Sequence, residues 1–496
     1  MDLKVTWETS VKANRTKQLA AGMLAVALSA VATVAMAVAG ANQADAQKSA
    51  DTSDIAYQIM VQRATQAAIW AMPAAAMIDF EKATKRDLGG DVNDVIYVSK
   101  PFASRHGFLT ANDVTPYAWG SISTEKGPLV VEVPAATDKV GYFGSISNAW
   151  FVPLIDVGTT GTDKGKGGKY LVLPPGYKGE TPKGYIAVPS DTINLGFAFR
   201  PVMKEGATFK DTTAYAKKLQ IYYLADAANP PATKHIDAFP KKFSSLPTYD
   251  MTFFQDIYDV ISREPTRPQD KAMMGLLAAI GIEKGKPFKP TADQKRAMEE
   301  GIKLAWASMQ SHFSTEGKGM LAWWRDKKWY IWNFAKGQAE LGFPFVTDDV
   351  ILIDERAGGY SFFVTYLPKK LGGGTFYLNG LRDSDGDLFD GKSTYKLRVP
   401  KETPAKDFWS VIVYSMKTKG FVEGVKRVGI SSRDKDTLKF NDDGSVDIYF
   451  APKAPKGLES NWIPTGEDFF LLFRLYGPDK PLFEKTWVLD DVEKVQ

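Results

Sequence analysis

The chain has 496 residues, 44% of them hydrophobic and 12% aromatic, enough apolar material to bury a large interior spread over two or three domains. Its 62 basic and 58 acidic residues leave a formal charge of +4, and no basic block is interleaved with aromatics, which argues against a nucleic-acid partner. Cysteine is absent, removing thiolate nucleophiles, disulfides, cysteine-ligated zinc and iron–sulfur chemistry together.

The amino terminus carries Lys4, Lys12, Arg15 and Lys17, then an uncharged apolar run from Leu19 to Gly40, then Ala44-Asp45-Ala46 before Gln47. Basic, apolar and A-x-A in that order predict a signal peptide over residues 1–46 and a periplasmic or secreted mature protein. The run of 22 residues is long enough to span a bilayer, so a retained anchor stays open; cleavage leaves no stable membrane span.

From Asp54 to Lys85 apolar residues recur at three and four, interrupted by Pro73, so residues 47–90 read as one or two helices capping the first sheet. Residues 91–248 change to short runs such as "VIYV", "LVVEV", "YLVL" and "LQIYYL" punctuated by prolines, the pattern of a first β-sandwich domain. Helical periodicity returns over 249–328, with capping boxes at Thr266/Gln269 and Thr291/Gln294. There "KAMMGLLAAIGIEKG" reads as a buried helix and "DQKRAMEEGIKLAWASMQ" as an amphipathic one. Residues 329–496 resume strands, among them "KWYIWNF", "DDVILIDE", "YSFFVTYL", "FWSVIVYS" and "FFLLFRLYG", with tight turns at "DSDGD" and "NDDGS". The fold class is α+β, mainly β: two antiparallel β-sandwiches with a helical segment between them.

Several stretches offer chemistry. "GTTGTDKGKGGKY" lacks P-loop spacing and reads as a hairpin loop. Asp383, Asp385, Asp387 and Asp390 miss the EF-hand positions and read as a turn. His106, His235 and His312 are scattered, so no metal site and no cofactor are expected. No G-x-S-x-G elbow is present. In "AWWRDKKWYIWNF", Trp323 and Trp324 could stack on a ligand with Arg325 adding polar contact, or could close the junction between helices and second sheet. In "IDERAGGYSFF", between two apolar strands, Asp354, Arg356 and Tyr360 supply a carboxylate, a charge-fixing arginine and a phenol for acid–base work, or Arg356 and Asp354 pair at a strand end.

At the carboxyl end "DGKSTYKLRVP", "FWSVIVYS", "NDDGSVDIYF" and "SNWIPTGEDFFLLFRLYGPDKPLFEKTWVLDDVE" follow in order, and "SISNAWFVPLIDVGTTGTDKGKGGKYLVLPPGYKGETPKGYIAVPSDTINLGFAFRPV" lies upstream. These stretches resemble the bacterial family with paired domain of unknown function 1254 and domain of unknown function 1214. The resemblance implies two jelly-roll-like β-sandwiches with helices between them in an exported protein; it carries no established reaction and no catalytic set. Within the last stretch Phe469, Leu471, Phe473 and Leu475 would face one way and Phe470, Leu472, Arg474 and Tyr476 the other, so the strand is covered on both sides and Arg474 needs a partner.

The function expected from the sequence is an exported envelope protein binding or acting on a glycan or small molecule in an interdomain groove. A metal-independent hydrolase of carboxylate acid–base type, a non-catalytic binding module and a structural envelope homo-oligomer stay open as alternatives. Amino-terminal sequencing of periplasmic protein is expected to begin at Gln47; a chain beginning at Met1 would favour the anchor.

Overall fold

In a computed structural model, which describes residues 52–332, 345–363 and 374–495, the helical period of the amino-terminal segment forms one continuous helix, α1 (Thr52–Ala83), ended by a π turn at Thr84–Leu88. The expected signal peptide lies outside the described residues. The helix runs through Pro73 because Trp70, Met72, Ala74, Ala75 and Ala76 around it are all buried, so packing outweighs the lost backbone bond. Among the described residues no helix is long and apolar enough to cross a membrane.

The first β region comprises β1 (Val95–Tyr97), β2 (His106–Gly107), β3 (Ala118–Ser123), β4 (Leu129–Val133), β5 (Val140–Asn148), β6 (Pro153–Gly158), β7 (Gly168–Leu173), β8 (Tyr185–Pro189), β9 (Asn194–Met203), α2 (Phe209–Ala216), β10 (Gln220–Tyr223), β11 (His235–Asp237) and β12 (Phe243–Ser244). Its strands form a six-stranded sheet, β11-β1-β3-β9-β5-β6, and a four-stranded sheet, β10-β4-β7-β8, with β12 beside β2. Ile122, Phe197 and Phe199 of the larger sheet share one core with Val131, Tyr170 and Val172 of the smaller.

Three helices follow: α3 (Met251–Arg263), α4 (Lys271–Ala278) and α5 (Ala292–Ser314). Helix α3 is tied to α1 by Lys82 bonded to Asp256 and by Arg263 at 2.6 Å from Glu81. At α5 the Thr291 capping box forms, with Thr291 N–H donating to Gln294 Oε1 at 2.9 Å and Gln294 N–H to Thr291 Oγ1 at 3.2 Å. The box expected at Thr266 does not form. Arg267 precedes the short turn Pro268–Asp270 with no side chain accepting from the turn's amides, and its guanidinium pairs with the Asp270 carboxylate at 2.6 Å. Nor is α4 a buried helix: only Leu277 is buried within it, and the segment puts Ile280 and Ile282 into the interior after the helix has ended.

The second β region comprises β13 (Met320–Ala322), β14 (Trp329–Trp332), α6 (Ile353–Tyr360), β15 (Thr375–Gly380), β16 (Thr394–Val399), β17 (Ala405–Ser415), β18 (Gly429–Ser431), β19 (Val446–Ala451), β20 (Trp462–Pro464), β21 (Phe469–Pro478), α7 (Lys480–Phe483) and β22 (Glu493–Val495). It repeats the arrangement of a six-stranded sheet, β13-β14-β15-β21-β17-β18, and a four-stranded one, β20-β19-β16-β22. Pairing is antiparallel except at β1–β11, β2–β12, β7–β8 and β19–β20. On β21, Phe469, Leu471, Phe473 and Leu475 enter the core shared with the smaller sheet, and Phe470 packs on the opposite side against Phe313 of α5 at 4.9 Å. The alternation in the sequence therefore translates into burial on both faces.

Two expected strands are corrected: "YSFFVTYL" opens on the last residue of a helix and a turn, with residues 364–367 outside the described residues. "DDVILIDE" does not continue the sheet; Ile353–Tyr360 is helix α6, whose Arg356, Ala357 and Tyr360 are buried at helical spacing. Gly358 and Gly359 form a contact face of that helix. A Cβ on Gly358 would come within 2.8 Å of the Trp332 ring and 3.0 Å of His312 Cβ. Gly358→Ala is expected to destabilise the protein by about 1–3 kcal/mol in thermal or urea unfolding, although alanine has the better helix propensity.

Candidate functional site

Trp323 and Trp324 pack with the second core. Trp323 lies 4.7 Å from Phe376, with the Lys485 ammonium 4.8 Å from its ring centre, and Trp324 is buried 5.9 Å from Trp487. Arg325 and Asp354 are exposed. Arg356 and Tyr360 stand one turn apart on α6 and hydrogen-bond outside the second region: Arg356 Nη2 donates to Trp70 O of α1 at 2.7 Å and Tyr360 Oη to Phe151 O of the first region at 2.7 Å. Burial pulls the Arg356 guanidinium down to about 10. The two sets of side chains thus meet different partners, rings in one core and hydrogen bonds to the other region.

The remaining polar stretches are internally satisfied. In the glycine-rich loop Asp163 accepts from Gly158 N–H at 2.6 Å, Gly167 N–H at 2.9 Å and Tyr170 Oη at 2.7 Å, so those groups are already engaged. Asp383 accepts from the amides of Asp385 and Asp387 and closes its turn. His106 accepts from Ala103 N–H and donates to Phe239 O, and burial pushes it down to about 4. Among the described residues no three His, Asp or Glu side chains converge as metal ligands.

A different constellation lies where the two β regions meet. Arg474 on β21 is 1% exposed and Arg200 on β9 is 3% exposed, yet neither makes a salt bridge among the described residues. Arg474 Nη2 donates to Thr110 O at 2.8 Å, and its guanidinium lies 5.1 Å from the Tyr377 ring and 5.4 Å from that of Tyr414. Arg200 Nη1 reaches Tyr476 Oη at 3.4 Å and Thr115 Oγ1 at 3.5 Å, with its guanidinium 4.6 Å from the Tyr117 ring. Arg474 Nε and Nη1 and Arg200 Nε have no acceptor among the described residues. Ser410, in register with Arg474 on β17, is fully buried and its hydroxyl is likewise unpartnered.

The segment Thr110–Tyr117 straps this cluster. Besides Thr110 O, it offers Asn112 Nδ2 to Tyr476 Oη and accepts Tyr414 Oη at Ala111 O. Thr110 is held at φ 42° and bonds through its N–H, at 2.8 Å, to the carbonyl of Lys419, itself at φ 60°. Two non-glycine residues in left-handed conformations cost on the order of 1–3 kcal/mol each, and the surrounding bonds must hold them there. Burial pushes the Tyr476 phenol well above its ordinary value, whereas Arg200 and Arg474 overcome burial to hold Tyr377 below its own. Asp113, the strap's carboxylate, is pushed up to about 6 by desolvation against the pull of Arg474.

The sequence singles out Arg474 but not Arg200 or the tyrosines. The same signal was present for Arg200: Leu195, Phe197 and Phe199 point into the first core, which sends Gly196, Ala198 and Arg200 to the other face.

The fold is similar to that of the VPA0106 protein from Vibrio parahaemolyticus, with a TM-score of 0.53 and 18% identity over 88% of this chain and 100% of that one. A putative uncharacterized protein from Burkholderia cenocepacia aligns over 88% of this chain and 94% of its own, with a TM-score of 0.36 and 11% identity. No curated protein matches. Residues 92–223 match the family described as protein of unknown function (DUF1254) and residues 374–480 the one described as protein of unknown function (DUF1214), so the chain carries both of these domains, in that order.

Proposed function

We propose that this is an exported envelope protein that binds a small anionic molecule between its two β domains, on the buried guanidinium groups of Arg200 and Arg474. The observation that carries the reading is the set of unpaired N–H groups on two arginines that lack a carboxylate counter-ion. Removing an ion from water costs several kcal/mol, and an unmatched guanidinium N–H adds to that cost unless an acceptor arrives. A carboxylate or phosphate fits because its oxygens match the guanidinium fork, and the tyrosine rings supply apolar walls. In this reading the domains are jelly-roll-like sandwiches over residues 91–248 and 329–496, and the basic-apolar leader accounts for export. Arg356 positions α6 against α1 and Tyr360 against the first domain, and Trp323 and Trp324 complete the second.

Titration calorimetry on the full mature chain with acetate, propionate and inorganic phosphate, at constant ionic strength against chloride, tests this. At least one anion is expected to bind saturably, and Arg200→Lys or Arg474→Lys to weaken it by tenfold or more, because a charge-assisted bond is worth about 1.5–3 kcal/mol. Absence of saturable binding, or binding unchanged in both variants, would mean that the arginines only cement the domains.

A further inference from the structure

Helix α4 consists of Ala, Met, Gly and Leu after Lys271, yet it buries only Leu277. Met273, Met274 and Leu276 are half-buried, and Ala272, Gly275 and Ala278 are exposed, so an apolar helix face lies open to solvent. Beyond the helix the chain doubles back. Gly281, at φ 79°, makes the turn, and Ile282 N–H donates to Leu277 O at 3.0 Å. Lys284 pins the returning limb to the end of α3, its ammonium donating to Ile261 O at 3.0 Å, to Ser262 O at 3.4 Å and to Glu264 O. Helix and limb enclose an open pocket of about 280 Å³ whose apolar lining is Met274, Ala278 and Ile282.

The charged side chains lining this pocket are Lys271, Lys284 and Glu283. Lys284 is engaged by the α3 carbonyls, and Glu283 pairs with Lys286 at 2.6 Å. Beside Lys271, Arg267 and Asp270 pair with each other at 2.6 Å. The Lys271 ammonium has no partner among the described residues. A cation in the first turn of a helix is opposed by the helix dipole, so Lys271 does not stabilise α4. The pocket therefore offers an apolar lining beside one unpaired ammonium, at a size near the ~300 Å³ at which small-molecule sites begin. From Lys271 to Ala278 the helix rises about 10 Å, the reach of an extended chain of about eight carbons. We infer that the pocket binds a medium-chain carboxylate, its acid group on Lys271 and its alkyl chain along Met274, Ala278 and Ile282. None of the residues of the anion site between the β domains takes part.

Octanoate, kept below its micelle concentration, is the probe, titrated calorimetrically into the full mature chain beside butyrate and 1-octanol. It is expected to bind saturably and at least tenfold more tightly than butyrate, because the longer chain removes more apolar surface from water. Lys271→Gln should lower octanoate affinity about fivefold, the scale of an ion pair open to solvent, and leave 1-octanol unchanged. Ala278→Glu, at an exposed position, should weaken octanoate and 1-octanol alike by setting a carboxylate in the apolar lining. Arg200→Lys should change neither, which separates this pocket from the site between the domains. Octanoate bound no more tightly than butyrate would overturn the inference, and so would binding that falls in Arg200→Lys but not in Lys271→Gln. A dimer that Ala278→Glu dissolves, seen in sedimentation without any octanoate binding, would also overturn it and assign the apolar face of α4 to a second copy of the chain.

Discussion

Two buried guanidinium groups at the junction of the β regions, Arg200 reaching the Tyr476 hydroxyl on the strand that carries Arg474, are the constraint on which the rest of the interface depends. Arg474 interrupts a strand that is otherwise apolar on both faces, and Arg200 does the same on β9. A lone charge in such a place is strongly unfavourable, and no carboxylate neutralises either arginine directly among the described residues. What surrounds them is instead a shell of phenol rings, hydroxyls and carbonyls. Tyr117, Tyr377 and Tyr414 supply faces on which a guanidinium can lie, each worth on the order of 0.5–2 kcal/mol, but faces do not satisfy N–H groups.

That shell exists because the strap Thr110–Tyr117 is forced into it. Thr110 and Lys419 take up left-handed backbone and are bonded to one another. Lys419 is itself buried, its ammonium 4.0 Å from the centre of the Phe313 ring and 2.6 Å from Gln310 Oε1, and desolvation lowers it to about 7. Helix α5, the hairpin after β17 and the strap are therefore one connected piece. Strain at two residues, a buried lysine and two buried arginines within the same few turns are hard to explain by stability alone, since apolar residues of similar volume would cost less. The cluster makes physical sense as a site.

How much of this was legible in the sequence depends on whether the information was periodic. Strand alternation in "FFLLFRLYG" gave the two buried faces of β21 and marked Arg474, and the Thr291/Gln294 box gave the start of α5, because both are local patterns with a fixed spacing. Helix α6 was missed because "VILIDE" is apolar enough for a strand, and the close approach of Gly358 to Trp332 that favours the helix is a tertiary fact. Trp323 and Trp324 drew attention as aromatics, but their partners Phe376 and Trp487 stand far along the chain. The candidate site joins β9, β15, β17 and β21 with the strap before β3, so its members are separated by up to several hundred residues and share no motif.

A high-resolution crystal structure of the mature protein, purified without added organic acids or phosphate, tests the central claim most directly. The account predicts electron density for a non-water anion, or a ligand carrying one, within hydrogen-bond distance of Arg474 Nη1 and Arg200 Nε. Guanidinium groups turned onto protein acceptors, with every N–H matched and no space left between them, would contradict it.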